Sequence, residues 1–154
     1  MGRHVRHARE DRGAAALEFA LIAPILLLLV FGIISFGFML SFRQNLSQAA
    51  AEGARAAAVQ LSDTTRTSAA TAAITSALDT AGLTCSGGNL LKGSKDVGDC
   101  TVSAAAACST GSTERCVTVR LVYNYRANPL IPSVPLVDRT LPATLSYSST
   151  VRVS

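Results

Sequence analysis

The sequence predicts an α+β fold, in which a long N-terminal helix leads into a second helix and a small antiparallel β-sheet. Three observations predict it. Residues Phe19 to Phe42 form a 24-residue run without a charge, FALIAPILLLLVFGIISFGFMLSF. Helical character continues beyond it through RQNLSQAAAEGARAAAVQL without a proline. The C-terminal third alternates β-branched or aromatic residues with polar ones, the period of a half-buried strand.

The charge-free run comes first. As a helix it measures about 36 Å at 1.5 Å per residue, enough to cross a hydrocarbon core of about 30 Å with some tilt. The apolar region of a secretory signal peptide is shorter, about 7 to 15 residues, so a transmembrane helix over residues 14–42 is the better reading. Small residues at Ala49, Ala50 and Ala51 keep the signal-peptide alternative open. Pro24 lies inside the run, where it removes a backbone donor and crowds the preceding turn, so a kink or a loosened turn is expected near Ala20 to Pro24. Gly32 and Gly37 lower helix propensity further and suit close approach of a neighbouring helix in lipid.

Charge sets the topology. Of the 14 Lys and Arg residues, Arg3, Arg6, Arg9 and Arg12 precede the run and Arg43 alone follows it closely. Positive residues flanking a span prefer the cytoplasm, which places residues 1–13 inside as a basic leader and residues 43–154 outside as one extracytoplasmic α+β domain. The formal net charge of +4 does not point to nucleic acid, because the remaining cations are scattered and no aromatic platform is interleaved with them. All four cysteines, Cys85, Cys100, Cys108 and Cys116, fall in the outer region without a Cys-x-x-Cys spacing or partner histidine. That pattern favours disulfides in an oxidising compartment over a metal site. Three pairings are open, and the expected one joins Cys108 to Cys116 around a short loop and Cys85 to Cys100 around a longer one.

After the span, Ala49, Ala50, Gly53, Ala54, Ala57 and Ala58 make a small-residue stripe at three-to-four spacing. It serves either to pack on the protein's own domain or on neighbouring subunits. Ser62 or Asp63 caps a second helix expected over Thr64 to Ala81, with Gly82 as its stop. Residues from Cys85 to Gly98 read as a loop. Strands are expected over Asp99 to Ala105, over Cys116 to Arg126 with Val117, Val119, Leu121, Tyr123 and Tyr125 on one face, and over Ala143 to Val153. Between the last two, NPLIPSVPLVDRTLP holds four of the five prolines and reads as an extended connection. The exposed stretches Ser86 to Lys95 and Asn128 to Pro135 are the places where a binding loop would sit, although a solvated linker is the simpler reading.

Glu18 is the most informative residue, a lone carboxylate immediately ahead of the charge-free run and five places after Gly13. An ionisable group at the edge of a span costs desolvation energy, about 2.5 to 3.5 kcal/mol at a helix centre and less at an interface, so it needs a partner or the headgroup region.

The strings RGAAALEFALIAPILLLLVFGIISFG and RQNLSQAAAEGARAAAV together resemble the TadE-like family, pseudopilins of the tight-adherence (Tad) branch of type IV pili. The resemblance covers residues 9 to 60. It rests on the glycine, the Glu-Phe pair, the later proline and the Glu-Gly-Ala-Arg segment after the span. It implies a pilin-like fold and a cut by prepilin peptidase after Gly13 that leaves Ala14 as the new N-terminus. Glu18, fifth in the mature chain, would then neutralise a neighbour's N-terminal amine during assembly. Membrane lipid, prepilin peptidase, other pilins and the Tad assembly machinery are the implied partners, with no cofactor, small-molecule substrate or nucleic acid. Cleavage would also remove His4 and His7, the only histidines, which leaves no Ser-His-Asp or Cys-His catalysis and argues against an enzyme. A permanently anchored extracytoplasmic binding module is the alternative, distinguished by retention of the leader.

Overall fold

A computed structural model describes residues 4–131 and 141–153, with side chains described from residue 13 onward. The leader's side chains and residues 132–140 of the proline-rich connection lie outside this description, as does most of the stretch from Asn128 to Pro135 beyond Ile131.

Helix α1 spans His4–Ala58 and is helical throughout, including at Pro24. The chain divides into two compact units, Met1–Gly37 and Phe38–Ser154. The first consists of the N-terminal part of α1. The second holds the rest of α1, α2 (Asp63–Leu78), a short 3₁₀ turn (Asp79–Ala81) and six strands: β1 (Leu83–Ser86), β2 (Asn89–Lys92), β3 (Lys95–Val102), β4 (Ala106–Ala107), β5 (Arg115–Tyr123) and β6 (Leu145–Val153).

The predicted second helix is thus present, with its last turn tightened to 3₁₀ geometry. Ser62 is its N-cap, accepting from the Thr65 amide, and Gly82 ends it in the left-handed conformation with φ 66°. Asp63 fixes the first turn by accepting from the Arg66 guanidinium at 3.0 Å and from the Ala105 amide at 3.4 Å. Arg66 is itself buried, so one carboxylate joins α2 to the strand region while balancing a charge held out of water.

All six strands form one antiparallel sheet. β5 is central. Val119 pairs with Val102 of β3 on one edge and with Ser149 of β6 on the other, and β4 adds to the start of β5 through Ala106 and Cys116. The two long strands expected from the sequence are both present. Val117, Val119, Leu121, Tyr123 and Tyr125 are all buried, as predicted, and β6 buries Leu145 and Val153 while Ser146, Ser148, Thr150 and Arg152 stay exposed.

The segment from Cys85 to Gly98 is not a loop. It forms β1, β2 and the start of β3, joined by two-residue turns at Gly87–Gly88 and Gly93–Ser94. Gly87 and Gly88 have φ of 60° and 87°, the paired positive values that a tight hairpin turn demands and that other residues adopt at a cost. A register shift between Leu90 and Leu91 bulges the β2–β3 pairing beside Gly98, where an added Cβ would lie 1.9 Å from the Val122 carbonyl oxygen. Only glycine admits β5 that closely. The weak strand expected over Asp99 to Ala105 is correspondingly shifted, with β3 starting at Lys95 and ending at Val102.

One apolar core joins these elements. From α1 it takes Met39, Phe42, Leu46, Ala49, Ala50, Ala54 and Ala57, from α2 Ala70, Ile74 and Leu78, and from the sheet Leu83, Leu90, Val97 and the β5 row. Phe42 meets Tyr123 edge-on with ring centroids 4.8 Å apart. At the margin Arg43 donates its Nε–H to the Tyr147 hydroxyl and lies over the Tyr147 ring, tying α1 to β6.

The Arg66 hydrogen bond, supported by the Ala105 amide, holds the Asp63 carboxyl below its ordinary value of 3.8. The stabilisation is therefore complete above that value and disappears as pH falls through the lowered folded-state value. Thermal unfolding of the full chain in detergent should show Asp63→Asn less stable than the parent at pH 7. The two should converge at pH 2.

Candidate functional site

Within α1, the segment Gly13–Ala58 contains an 18-residue window of mean hydropathy 2.8, only 6% of which is buried. A core helix of a soluble domain would be mostly covered. Here Leu17, Phe19, Leu21, Ile25 and Ile33 are each about two-thirds or more exposed, and large apolar side chains stay exposed as far as Leu40. One helix of the right length thus presents apolar surface around most of its circumference, as a lipid-facing anchor does.

At the start of this segment, Gly13, Ala14 and Glu18 are all exposed. Ala14 and Glu18 are four residues apart and share one face of α1. Among the described residues Glu18 has no ion-pair or hydrogen-bond partner within the chain. The site therefore consists of an exposed Gly-Ala junction and, one turn on, an unbalanced carboxylate at the edge of the apolar surface.

The glycines of α1 fall into two classes. A Cβ added at Gly53 would lie 2.7 Å from Ile74 Cγ1, so the fold itself requires this glycine where α1 crosses α2. At Gly13, Gly32 and Gly37 an added Cβ meets nothing within 4 Å. Glycine in a helix interior costs about 1 kcal/mol relative to alanine, and no contact within the chain accounts for that cost at these three positions. The stripe around Gly53, which the sequence left divided between the protein's own domain and neighbouring subunits, packs on the former: Ala49, Ala50, Gly53, Ala54 and Ala57 are buried.

In the sheet-bearing unit Cys85 is bonded to Cys100 and Cys108 to Cys116, one of the three pairings open to the sequence. The first joins β1 to β3 around the β1–β2 turn and the second closes the β4–β5 connection. Among the described residues no group of three or more His, Cys, Asp or Glu side chains is placed to hold a metal ion. Sequence reasoning missed the Asp63–Arg66 pair and the Arg43–Tyr147 contact. The three-residue spacing of Asp63 and Arg66 on a helix was a signal for the former; the latter, 104 residues apart, carried none.

The model of the family described as TadE-like protein matches residues 13–55. This stretch begins at Gly13, takes in Glu18, Pro24 and the exposed apolar surface, and ends at Arg55 within the packed part of α1. It is the resemblance drawn from the sequence, and it leaves α2 and the sheet outside the match. No curated protein and no solved structure matches the chain.

Two substitutions separate the two classes of glycine. Gly53→Leu should destabilise the sheet-bearing unit by about 1 to 3 kcal/mol through overpacking against Ile74. Gly32→Leu should leave it within about 0.5 kcal/mol. Denaturant unfolding of the full chain in detergent, followed by tyrosine fluorescence, measures both.

Proposed function

We propose that the chain is a minor pilin or pseudopilin of a Tad-type adhesive pilus, a structural or assembly subunit anchored by α1 and carrying no catalytic activity. The observation that carries this reading is the TadE-like match to residues 13–55, which begins at an exposed glycine that the chain's own packing does not require.

The mechanism follows from the helix. The leader arginines hold the N-terminus in the cytoplasm and the domain beyond Phe42 lies outside, where its two disulfides persist. Prepilin peptidase cuts after Gly13 and frees the Ala14 amine. Glycine suits such a cut because its lack of a side chain lets backbone approach an active site closely. Glu18, on the face of α1 shared with Ala14, then accepts the free amine of a neighbouring subunit. Two opposite charges relieve each other's desolvation only when paired, so the pairing sets the register between neighbours. The apolar surface of residues 14–42 is satisfied by lipid before assembly and by similar helices after it, and Gly32 and Gly37 leave room for those helices to come close. Membrane lipid, prepilin peptidase, other pilins and the Tad machinery are the partners in this scheme.

Intact mass of the protein recovered from its native membrane tests the reading. The expected chain begins at Ala14, Gly13→Leu retains residues 1–13, and Glu18→Ala is processed but poorly assembled. A parent chain that retains its leader would instead favour the permanently anchored binding module, and a start near Ala51 a secreted form.

A further inference from the structure

In α1 burial begins with Ser35, and the last turn of the charge-free run is the first to bury large apolar side chains. Met39 and Phe42 are core residues, 5% and 3% exposed, while Phe38, Leu40 and Ser41 between and beside them remain exposed. This unit therefore takes in the last residues of the apolar run. There a groove of about 350 Å³ opens, lined by Phe38, Ser41 and Asn45 of α1, by Thr80 and Leu130, and by Lys92 at the end of β2.

The groove's composition is mixed. Phe38, 54% exposed, and Leu130 supply apolar wall, whereas Ser41, Asn45, Thr80 and Lys92 supply hydroxyl, amide and ammonium donors. Lys92 is brought there by the β2–β3 hairpin, whose two-residue Gly93–Ser94 turn places it opposite Lys95. Phe38 to Asn45 spans seven residues, about 10 Å of helix. That distance is comparable to the depth of one headgroup layer, and the one groove combines apolar side chains that suit an acyl chain with a cation and neutral donors that suit a phosphate.

We propose that this groove holds the phosphate of one anionic phospholipid of the surrounding leaflet, with Lys92 as the charged contact, Asn45 and Ser41 as neutral donors and Phe38 against the start of an acyl chain. The occupant is lipid rather than free phosphate because the groove includes Phe38 and Leu130 beside its donors and shares Phe38 with the exposed apolar side chains of α1. Lys95, on the same turn but outside the groove, contributes only general attraction to an anionic surface. This site rests on the membrane-anchored reading above. Its role is to seat the extracytoplasmic domain on the bilayer, and removal of the helix from the membrane would empty it.

The test uses the full chain reconstituted in nanodiscs of phosphatidylglycerol or of phosphatidylcholine, with retained lipid counted by native mass spectrometry. One phosphatidylglycerol should remain bound and phosphatidylcholine should not. Lys92→Gln should weaken retention about fivefold, the effect of the roughly 1 kcal/mol that one lysine contributes beside an anionic surface, whereas Lys95→Gln should change it less than twofold. Glycerol 3-phosphate added in solution should not displace the lipid. Equal retention by Lys92→Gln, equal retention of the two lipids, or displacement by glycerol 3-phosphate would each overturn the site while leaving the anchor intact. A chain that fails to enter nanodiscs of either lipid would overturn the anchor and the site together.

Discussion

The rest of the structure depends on one constraint: α1 carries apolar surface along most of its length, and buries large apolar side chains only from Met39 onward. There the helix buries Phe42 against Tyr123, Leu46 in the core and an alanine-glycine stripe against α2. Before it, among the described residues, fifteen leucine, isoleucine, valine and phenylalanine side chains are exposed. Burying a single such side chain is worth about 1.5 to 3 kcal/mol, so the sum far exceeds the net stability of a small domain. The exposed stretch must be covered by something else, and a bilayer or a bundle of like helices are the media that do so along a whole helix.

That constraint explains the division of labour among residues of the same type. The buried glycine and alanines near Gly53 set the distance between α1 and α2, and the sheet is then aligned by the β5 row. The glycines at 13, 32 and 37 do nothing for this packing, which is why their role is sought outside the chain. Glu18 follows the same logic: a charge at the rim of an apolar surface with no partner among the described residues is an incomplete interaction. The disulfides, the Asp63–Arg66 pair and the Arg43–Tyr147 contact stiffen a small domain whose aromatic content is low.

Much of this was legible in the sequence, for identifiable reasons. The charge-free run, the cap at Ser62, the stop at Gly82 and the alternation of β5 and β6 are local patterns, and local patterns survive without tertiary information. The β1–β2–β3 hairpins were not read, because four-residue strands give too few periods to register. The Gly-Gly and Gly-Ser pairs that mark their turns look like loop composition unless the exact two-residue spacing is noticed. Leu90 and Val97 were lost from the expected core for the same reason. The stripe at Gly53 could not be assigned a partner from spacing alone, since α2 and a neighbouring helix would demand the same small residues. The Glu18 site was legible as a motif but not as geometry, because no partner for it lies among the described residues.

The central claim is that α1 changes medium near Met39, from an apolar surround to the interior and aqueous margin of a folded domain. Spin labels at Leu28 and Ser47 of the full chain in a bilayer test it directly, since the native cysteines are all in disulfides. The account predicts that Leu28 collides readily with oxygen and scarcely with a water-soluble nickel complex, and that Ser47 shows the reverse. Comparable nickel accessibility at both positions would contradict it.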